Sequence, residues 1–527
     1  MLKSLTAARG MVTAPHHLAA QAGIAVLRDG GNAVEAMIAA ASTIAVVYPH
    51  MNSIGGDGFW LISRPGKPAI GIDACGRAAA LATPEWYRSR GHPTVPSRGP
   101  FAANTVAGAV SGWIAALGEV RGRLPLARLL QDAIWYAREG GPVTQSQVAY
   151  TARFQGELAP QPGFAGTFLR DGSPPPARSL QRFPALAQTF ERLAQCGLDD
   201  FYRGDVAHAL AAELARVGSP LRIGDLAQQH AALVEPLTVN LSAGTVYNLP
   251  PPTQGLASLM VLALFDRIRE GVAPDSFAHV HGIVEATKQA FLVRNRHVCD
   301  PDVMSVNPRE FLRDATLAES ARAIDARRAR AWPEPAVKGD TVWMGAVDGD
   351  GMLVSYIQSV YWEFGSGVVL EDTGINWQNR GASFSLDRAS HLALAPGRKP
   401  FHTLNPALAR LPDGREMVYG NMGGDGQPQS QAAVWSRYAM FGQDLQQAIS
   451  APRWLLGRTW GDMSVSLKLE NRFEPSLIAA LRDAGHEIDL VEAYSDLVGH
   501  AGALVRHPNG VISGATDPRS DGAVAGF

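Results

Sequence analysis

The chain has 527 residues, 46% hydrophobic and 18% charged, enough apolar material for a large buried core and too little charge for a disordered chain. Lys and Arg total 47 against 49 Asp and Glu, a formal net charge of -2, so there is neither the basic footprint of a nucleic-acid binder nor an acidic tail. At roughly 150 residues per domain, the length suits two to four domains or one large unit.

Lys3 is followed by no apolar run before Arg9, so no signal peptide is read. Leu18, Ala22, Ile24, Ala25 and Leu27 form a helical stripe that stops at Asp29-Gly30-Gly31-Asn32. Ala33 to Val47 is Ala-rich and apolar on all sides, which predicts a buried helix. The longest apolar run, Ala36 to Tyr48, is too short to span about 30 Å of hydrocarbon. Ser53-Ile54-Gly55-Gly56-Asp57-Gly58 then precedes a strand-like Phe59-Trp60-Leu61-Ile62. Leu158 to Pro184 is rich in Pro and Gly and reads as a surface excursion. Phe277 to Arg294 is a second long helix, with Ser276 placed to cap it. Cys75, Cys196 and Cys299 lack CxxC spacing and a nearby His pair, so they read as small buried thiols and no metal or cofactor is expected. The expectation is a soluble, cytoplasmic protein without nucleic-acid or membrane partners.

Ala326 to Asp340 reads as an exposed, flexible segment, with Arg327, Arg328, Arg330 and Lys338 among Pro333 and Pro335. It runs directly into two strands, Thr341 to Val347 and Leu353 to Val360, around the hairpin signal Asp348-Gly349-Asp350-Gly351. Both faces of the first strand are apolar, which places it inside a layered sheet. Were the Asp340–Thr341 bond cut, Thr341 would gain an α-amine with a pKa near about 8, a usable base beside its own hydroxyl. That hydroxyl could make the cut itself by attacking the Asp340 carbonyl, leaving an ester for water to hydrolyse. On these residues alone, a threonine that merely opens a strand is the simpler reading. Gly420 to Gly426 is a Gly-rich turn after the strand-like Met417-Val418-Tyr419, and its N–H groups could cradle an oxyanion. The GxxxxGK[ST] and GxGxxG phosphate patterns are not found there, while a plain turn remains open.

Several blocks then carry a resemblance: Met11-Val12-Thr13-Ala14-Pro15-His16, Gly30 to Ala36, Ser53 to Phe59, Phe201-Tyr202-Arg203-Gly204, Pro251-Pro252-Thr253-Gln254-Gly255, Glu285-Ala286-Thr287-Lys288, Gly339-Asp340-Thr341, Phe364-Gly365-Ser366-Gly367 and Gly423-Gly424. Over essentially its full length the chain resembles the γ-glutamyltransferase family of N-terminal nucleophile hydrolases. The resemblance implies an α/β fold, the αββα four-layer sandwich, and a precursor that cleaves itself between Asp340 and Thr341. The pieces would be a large 1–340 and a small 341–527 that associate as one folded unit, in an assembly that a dimer of such pairs would fit. It further implies Thr341 as nucleophile, Gly423 and Gly424 as oxyanion donors, and Ser359 as a second hydroxyl that aids maturation.

The chain departs from the family where a glutamyl group should bind. The carboxylate-binding Arg aligns with Cys75, and the nearest Arg is Arg77. Other pocket positions read Tyr361, Arg380 and Ser383, and the usual Ser-Ser pair reads His402-Thr403. An acidic partner for an ammonium is lost, Arg380 adds a cation, and a protonated His402 would add another. With Ile357-Gln358-Ser359 and Gln378-Asn379-Arg380-Gly381, these changes resemble the family's cytoplasmic branch. They imply an amidohydrolase for a small anionic amide, oxamate, giving oxalate and ammonia in purine (allantoin) breakdown. The alternatives are a γ-glutamyl hydrolase or transferase acting on glutathione, a β-lactam acylase, and an unprocessed binding homologue.

Overall fold

The computed structural model describes residues 3–332, 340–457 and 465–527. The long helices begin where the sequence puts them. Asn32 Oδ1 accepts from the N–H groups of Val34 and Glu35, both at 3.0 Å, and Glu35 returns a carboxylate oxygen to the Asn32 N–H at 2.9 Å. Helix Ala33–Val47 is buried on every side. Its Glu35 is satisfied there because its other oxygen accepts the Arg123 and Leu124 N–H groups at 2.6 and 2.7 Å. Ser276 caps helix Phe277–His297 by accepting from the His279 N–H.

Strands from both ends of the chain form two seven-stranded antiparallel sheets. Sheet I runs Leu5–Ala7, Ile512–Thr516, Ala501–Arg506, Glu416–Asn421, Ala407–Arg410, Gly244–Asn248, Leu237–Leu241. Sheet II runs Ala523–Gly526, Met11–Ala14, Asp340–Val347, Leu353–Tyr361, Asp57–Ser63, Ile70–Ala74, Ala232–Val234. The hairpin signal is met: Asp348 Oδ1 accepts from the N–H groups of Asp350 and Met352, and Oδ2 from that of Ala33 at 2.9 Å. One carboxylate thus closes the hairpin and fastens it to the buried helix.

Strand alternation sorts the apolar residues into three cores. Val342, Met344 and Ala346 face helices His17–Arg28 and Ala33–Val47. Trp343, Val347, Phe59, Leu61 and Ile357 meet Leu408, Val418, Leu504 and Ile512 between the sheets. Ala407, Ala409, Met417 and Tyr419 face helices Gly255–Ile268, Phe277–His297 and Gly426–Trp435. The result is helix, sheet, sheet, helix: the αββα sandwich of the N-terminal nucleophile hydrolases. Among the described residues, no helix is long and apolar enough to cross a membrane.

Three expectations need correction. The stretch 158–184 is not simply a surface excursion, because Phe164 and Phe168 are buried with ring centroids 5.1 and 4.8 Å from that of Phe364. Their four-residue spacing on helix Phe164–Phe168 makes a small apolar face that the surrounding Gly and Pro conceal. Cys75 and Cys299 are buried, but Cys196 is exposed at the end of helix Pro184–Cys196. The basic segment is exposed over 326–328 and at Arg330, yet its backbone is fastened. The Arg330 N–H donates to Glu285 at 3.2 Å, and Lys288 bonds both Glu285 at 2.6 Å and the Arg330 carbonyl at 2.5 Å. Its remainder, 333–339, lies outside the described residues.

Trp343 fixes the distance between the sheets. Its indole lies against the backbones of Gly420 and Gly502, where an added Cβ would come within 2.1 and 2.5 Å of the ring, and its N–H donates to Ser355 at 2.9 Å. Gly420→Ala should lower the denaturant midpoint by the equivalent of about 1–3 kcal/mol, the usual cost of overpacking. An unchanged midpoint would mean the indole does not rest on Gly420.

Candidate active site

The head of strand Asp340–Val347 is irregular. Asp340 pairs with Tyr361 and Val342 with Gln358, so Thr341 faces two residues, Ser359 and Val360, across a bulge. Thr341 and Ser359 are buried, and the Ser359 hydroxyl accepts the Tyr361 N–H at 2.8 Å. Tyr361 itself has φ 84°, a left-handed conformation that costs a non-glycine residue of order 1–3 kcal/mol. That backbone turns its ring under Arg380, whose guanidinium carbon lies 3.4 Å from the ring centroid. The cleavage bond foreseen at Asp340–Thr341 is therefore one side chain away from the buried cation.

Facing this point across the sheets is the Gly-rich turn. Thr341 shares by alternation the face of Trp343, and Trp343 packs on Gly420, from which the chain continues to Gly423 and Gly424. Those two glycines have φ 118° and 53°, which turns consecutive N–H groups to one side. Neither N–H donates to a protein acceptor among the described residues. The turn is rigidly backed. Gln254 Nε2 donates to the carbonyls of Gly424 and Thr403, both at 2.8 Å, while Arg294 bonds Gln254 at 2.8 Å and Asp425 at 2.7 Å. The Pro251–Gly255 block thus ties the turn to the His402-Thr403 wall, which it also meets through Gln254 N–H to the His402 carbonyl at 2.9 Å. Sequence reasoning gave no role to Gln254, Arg294 or Asp425. Opposite charges with small neighbours were visible, but their meeting across 131 residues was not.

The wall carries a buried cation. Arg380 is fully buried. Its Nη1 donates to Thr403 Oγ1 at 3.4 Å, and its Nε and Nη2 have no hydrogen-bond partner among the described residues. Burial lowers its pKa, the mark of a cation without a full counter-charge. His402 Nε2 donates to Asp57 at 2.9 Å, leaving Nδ1 buried and without a partner among the described residues. Burial outweighs that bond and pulls the imidazole down to about 4. His402 is therefore neutral near pH 7, a hydrogen-bond acceptor rather than the extra cation considered from sequence. Asp57, also without an assigned role until now, accepts from the N–H groups of Gly76 and Gly108, Gln378 and His402 at 2.9–3.0 Å. Its signal was a carboxylate inside a glycine run, where bare backbone can close around it.

Arg77 is not part of this pocket. Its guanidinium reaches outward to Asp302 at 3.2 Å and to the Gly397 carbonyl at 2.8 Å, because the chain beyond strand Ile70–Ala74 turns to pair with 104–106 and 397–398. Cys75 does lie inside, and its Sγ, His402 and Asp57 donor atoms fall within 4.8 Å of one another. As donor types these could hold a cation. The Asp57 carboxylate already serves four donors, burial pushes the Cys75 thiol well up so that it keeps its proton, and the Arg380 charge acts on both Cys75 and His402. The pocket suits an anion. A second trio, His281, Glu285 and His486, is engaged internally: His281 bonds His486 and the Asp325 carbonyl, each at 2.8 Å, and Glu285 holds Lys288.

Residues 19–527 match the sequence profile described as Gamma-glutamyltranspeptidase. The chain is 56% identical to the oxamate amidohydrolase proenzyme of Klebsiella pneumoniae, with 100% of each chain covered. It is 38% identical to the glutathione hydrolase-like YwrD proenzyme of Bacillus subtilis, again over 100% of both. Among solved structures, a cephalosporin acylase from Bacillus halodurans superposes with a TM-score of 0.90 at 34% identity, covering 100% of this chain and 97% of that one.

The neutral His402 makes stability depend on acidity. Its folded-state pKa of about 4 lies below the unfolded value of 6.5, so below 6.5 the unfolded chain binds the extra proton and gains. Stability should fall as pH drops from 6.5 toward 4, by up to about 1.4 kcal/mol per pH unit for this group. Denaturant midpoints across that range should slope less in His402→Gln than in the parent; equal slopes would exclude His402 as a contributor.

Proposed function

The chain belongs to the gamma-glutamyltranspeptidase family and is a hydrolase of amide bonds, and we propose that it matures by self-cleavage before Thr341 and then hydrolyses a small amide that carries a carboxylate, oxamate being the best fit. The observation that carries the substrate reading is Arg380, a fully buried guanidinium stacked on Tyr361 beside the bulge at Thr341, whose Nε and Nη2 meet no protein acceptor oxygen or nitrogen among the described residues. Oxamate bears its carboxylate directly on the amide carbonyl, so a short reach from Arg380 to the nucleophile is what such a substrate requires. The identity with a proenzyme named for oxamate supports the same reading.

In this mechanism the Thr341 hydroxyl first attacks the Asp340 carbonyl. Water then hydrolyses the resulting ester, leaving a large piece, 1–340, and a small piece, 341–527. The freed amine acts as base for the hydroxyl during turnover. Gly423 and Gly424 donate to the oxyanion, each such donor typically being worth about 3–4 kcal/mol of barrier. Arg380, with Thr403 beside it, takes the carboxylate. Neutral His402 accepts an amide N–H at Nδ1, its tautomer set by Asp57. Ser359, whose oxygen accepts from the Tyr361 N–H, is the second hydroxyl opposite Thr341 and would aid maturation. Ammonia leaves as the oxalyl ester forms, and water releases oxalate.

A glutathione-type substrate needs a carboxylate for its ammonium, and Asp57 is already committed to four donors. A longer dicarboxylic monoamide is the second reading, favoured by the likeness to a cephalosporin acylase. Purified protein should run as two bands under denaturing conditions, with threonine at the start of the smaller. Thr341→Ala should give one intact, inactive chain, and two fragments from that variant would refute self-cleavage by Thr341. Ammonia release from oxamate should exceed amine release from glutaryl and γ-glutamyl anilides. Arg380→Ala should raise KM for oxamate far more than it lowers kcat, since the carboxylate contact exists in ground and transition states alike; unchanged kinetics would remove Arg380 from the pocket.

A further inference from the structure

Three imidazoles outside this pocket have buried nitrogens with no hydrogen-bond partner among the described residues: His16 Nε2, both nitrogens of His50, and His500 Nε2. They lie close together. The rings of His16 and Tyr48 are 5.5 Å apart, those of Tyr48 and His50 4.3 Å, and those of His50 and Tyr150 5.5 Å. His16 and His500 are also close enough to depress the His50 pKa, and burial keeps all three rings neutral. A neutral imidazole carries one donor and one acceptor, so His50 alone leaves one of each unmet, and burying either without a partner is costly. Natural interiors meet that cost with ordered water, which typically makes about three hydrogen bonds to such groups.

The cluster is tied by its backbone to segments around the candidate site at three points. Strand Met11–Ala14 lies beside strand Asp340–Val347 with Thr13 opposite Gly345, and His16 follows two residues after that strand's end, bridged to Asp521. The His500 carbonyl accepts the Met422 N–H at 3.0 Å, immediately before Gly423. The His50 carbonyl accepts the Phe364 N–H at 2.8 Å, three residues beyond Tyr361. Arg380 and His402 come from other segments of the chain.

We infer that His16, His50 and His500 line a water-holding chamber that supplies and orients the hydrolytic water for the acyl ester on Thr341. The inference rests on the acyl-enzyme reading given above. The step balances: the water oxygen adds to the ester carbonyl, its proton passes to the Thr341 amine and on to Oγ, the C–Oγ bond breaks, and the acid departs with the second proton released to solvent. The imidazoles are positioning residues, acting through water rather than on the substrate.

The test uses the mature, full-length enzyme and the para-nitroanilide of oxalic acid, whose first product is coloured. His50→Phe keeps the ring packing against Tyr48, Tyr150 and Phe364 and removes both nitrogens; His500→Phe serves as a second variant should the first fail to mature. The expected result is a kcat lowered roughly ten- to thirty-fold, as for losing a well-bound bridging water, with KM lowered in parallel and kcat/KM unchanged. A burst of nitroaniline, and an oxalyl adduct on the small fragment by intact mass, should accompany it, and His50→Gln should recover part of the rate. A crystal structure of the parent should show water within hydrogen-bond reach of the four nitrogens. Loss of kcat/KM without an adduct, parental kinetics in both variants, or a dry chamber would each overturn the inference while leaving the nucleophile in place. A parent enzyme that turns over without any Thr341 adduct would instead overturn the acyl-enzyme reading and this one with it.

Discussion

The contact between Trp343 and the bare backbones of Gly420 and Gly502 governs the rest of the site. Two stacked sheets normally lie about 10 Å apart with side chains interleaved. Here one indole is the spacer, and its partners are residues with no side chain. That pairing sets how deeply the head of strand Asp340–Val347 sits against the loop leaving strand Glu416–Asn421. Every proposed catalytic distance is downstream of it, because the two halves of the chemistry belong to different sheets.

Around that spacer the structure divides its polar groups into two kinds. Some are closed sets: Asp57 among its four donors, and Gln254 between Arg294 and the Gly424 carbonyl. These rigidify the walls. Others are deliberately incomplete, namely Arg380, His402 Nδ1 and the paired glycine N–H groups. An unspent donor in a dry interior costs stability while the site is empty, and an incoming anion relieves that cost. The proposed preference for a compact anionic ligand rests on this, since a neutral ligand would leave the penalty standing.

Much of this was legible in the sequence. The buried helix over Ala33–Val47, the Asp348–Gly351 turn and the two apolar faces of strand Asp340–Val347 are local signals, and local backbone physics decided all three. The pocket was less legible because its members converge from distant segments. Arg77 was favoured for its nearness to Cys75 along the chain, yet a turn after residue 74 sends its side chain outward to Asp302. The protonation of His402 depends on burial, which no spacing encodes. Phe164 and Phe168 were hidden among glycines and prolines, and their anchorage on Phe364 is purely tertiary.

The strand order has a consequence for what a cut at residue 340 could separate. In sheet II the neighbours Asp340–Val347 and Leu353–Tyr361 are flanked by Met11–Ala14 on one side and Asp57–Ser63 on the other, and sheet I likewise mixes strands from both ends of the chain. Breaking one peptide bond would release no surface, since the two products stay laced through both layers by ladder hydrogen bonds. Each fragment made alone would be a partial sheet with naked edges, prone to stick to its own kind. A covalently single chain is therefore the natural way to assemble the sandwich, and the nick becomes tolerable only once the lacing is complete.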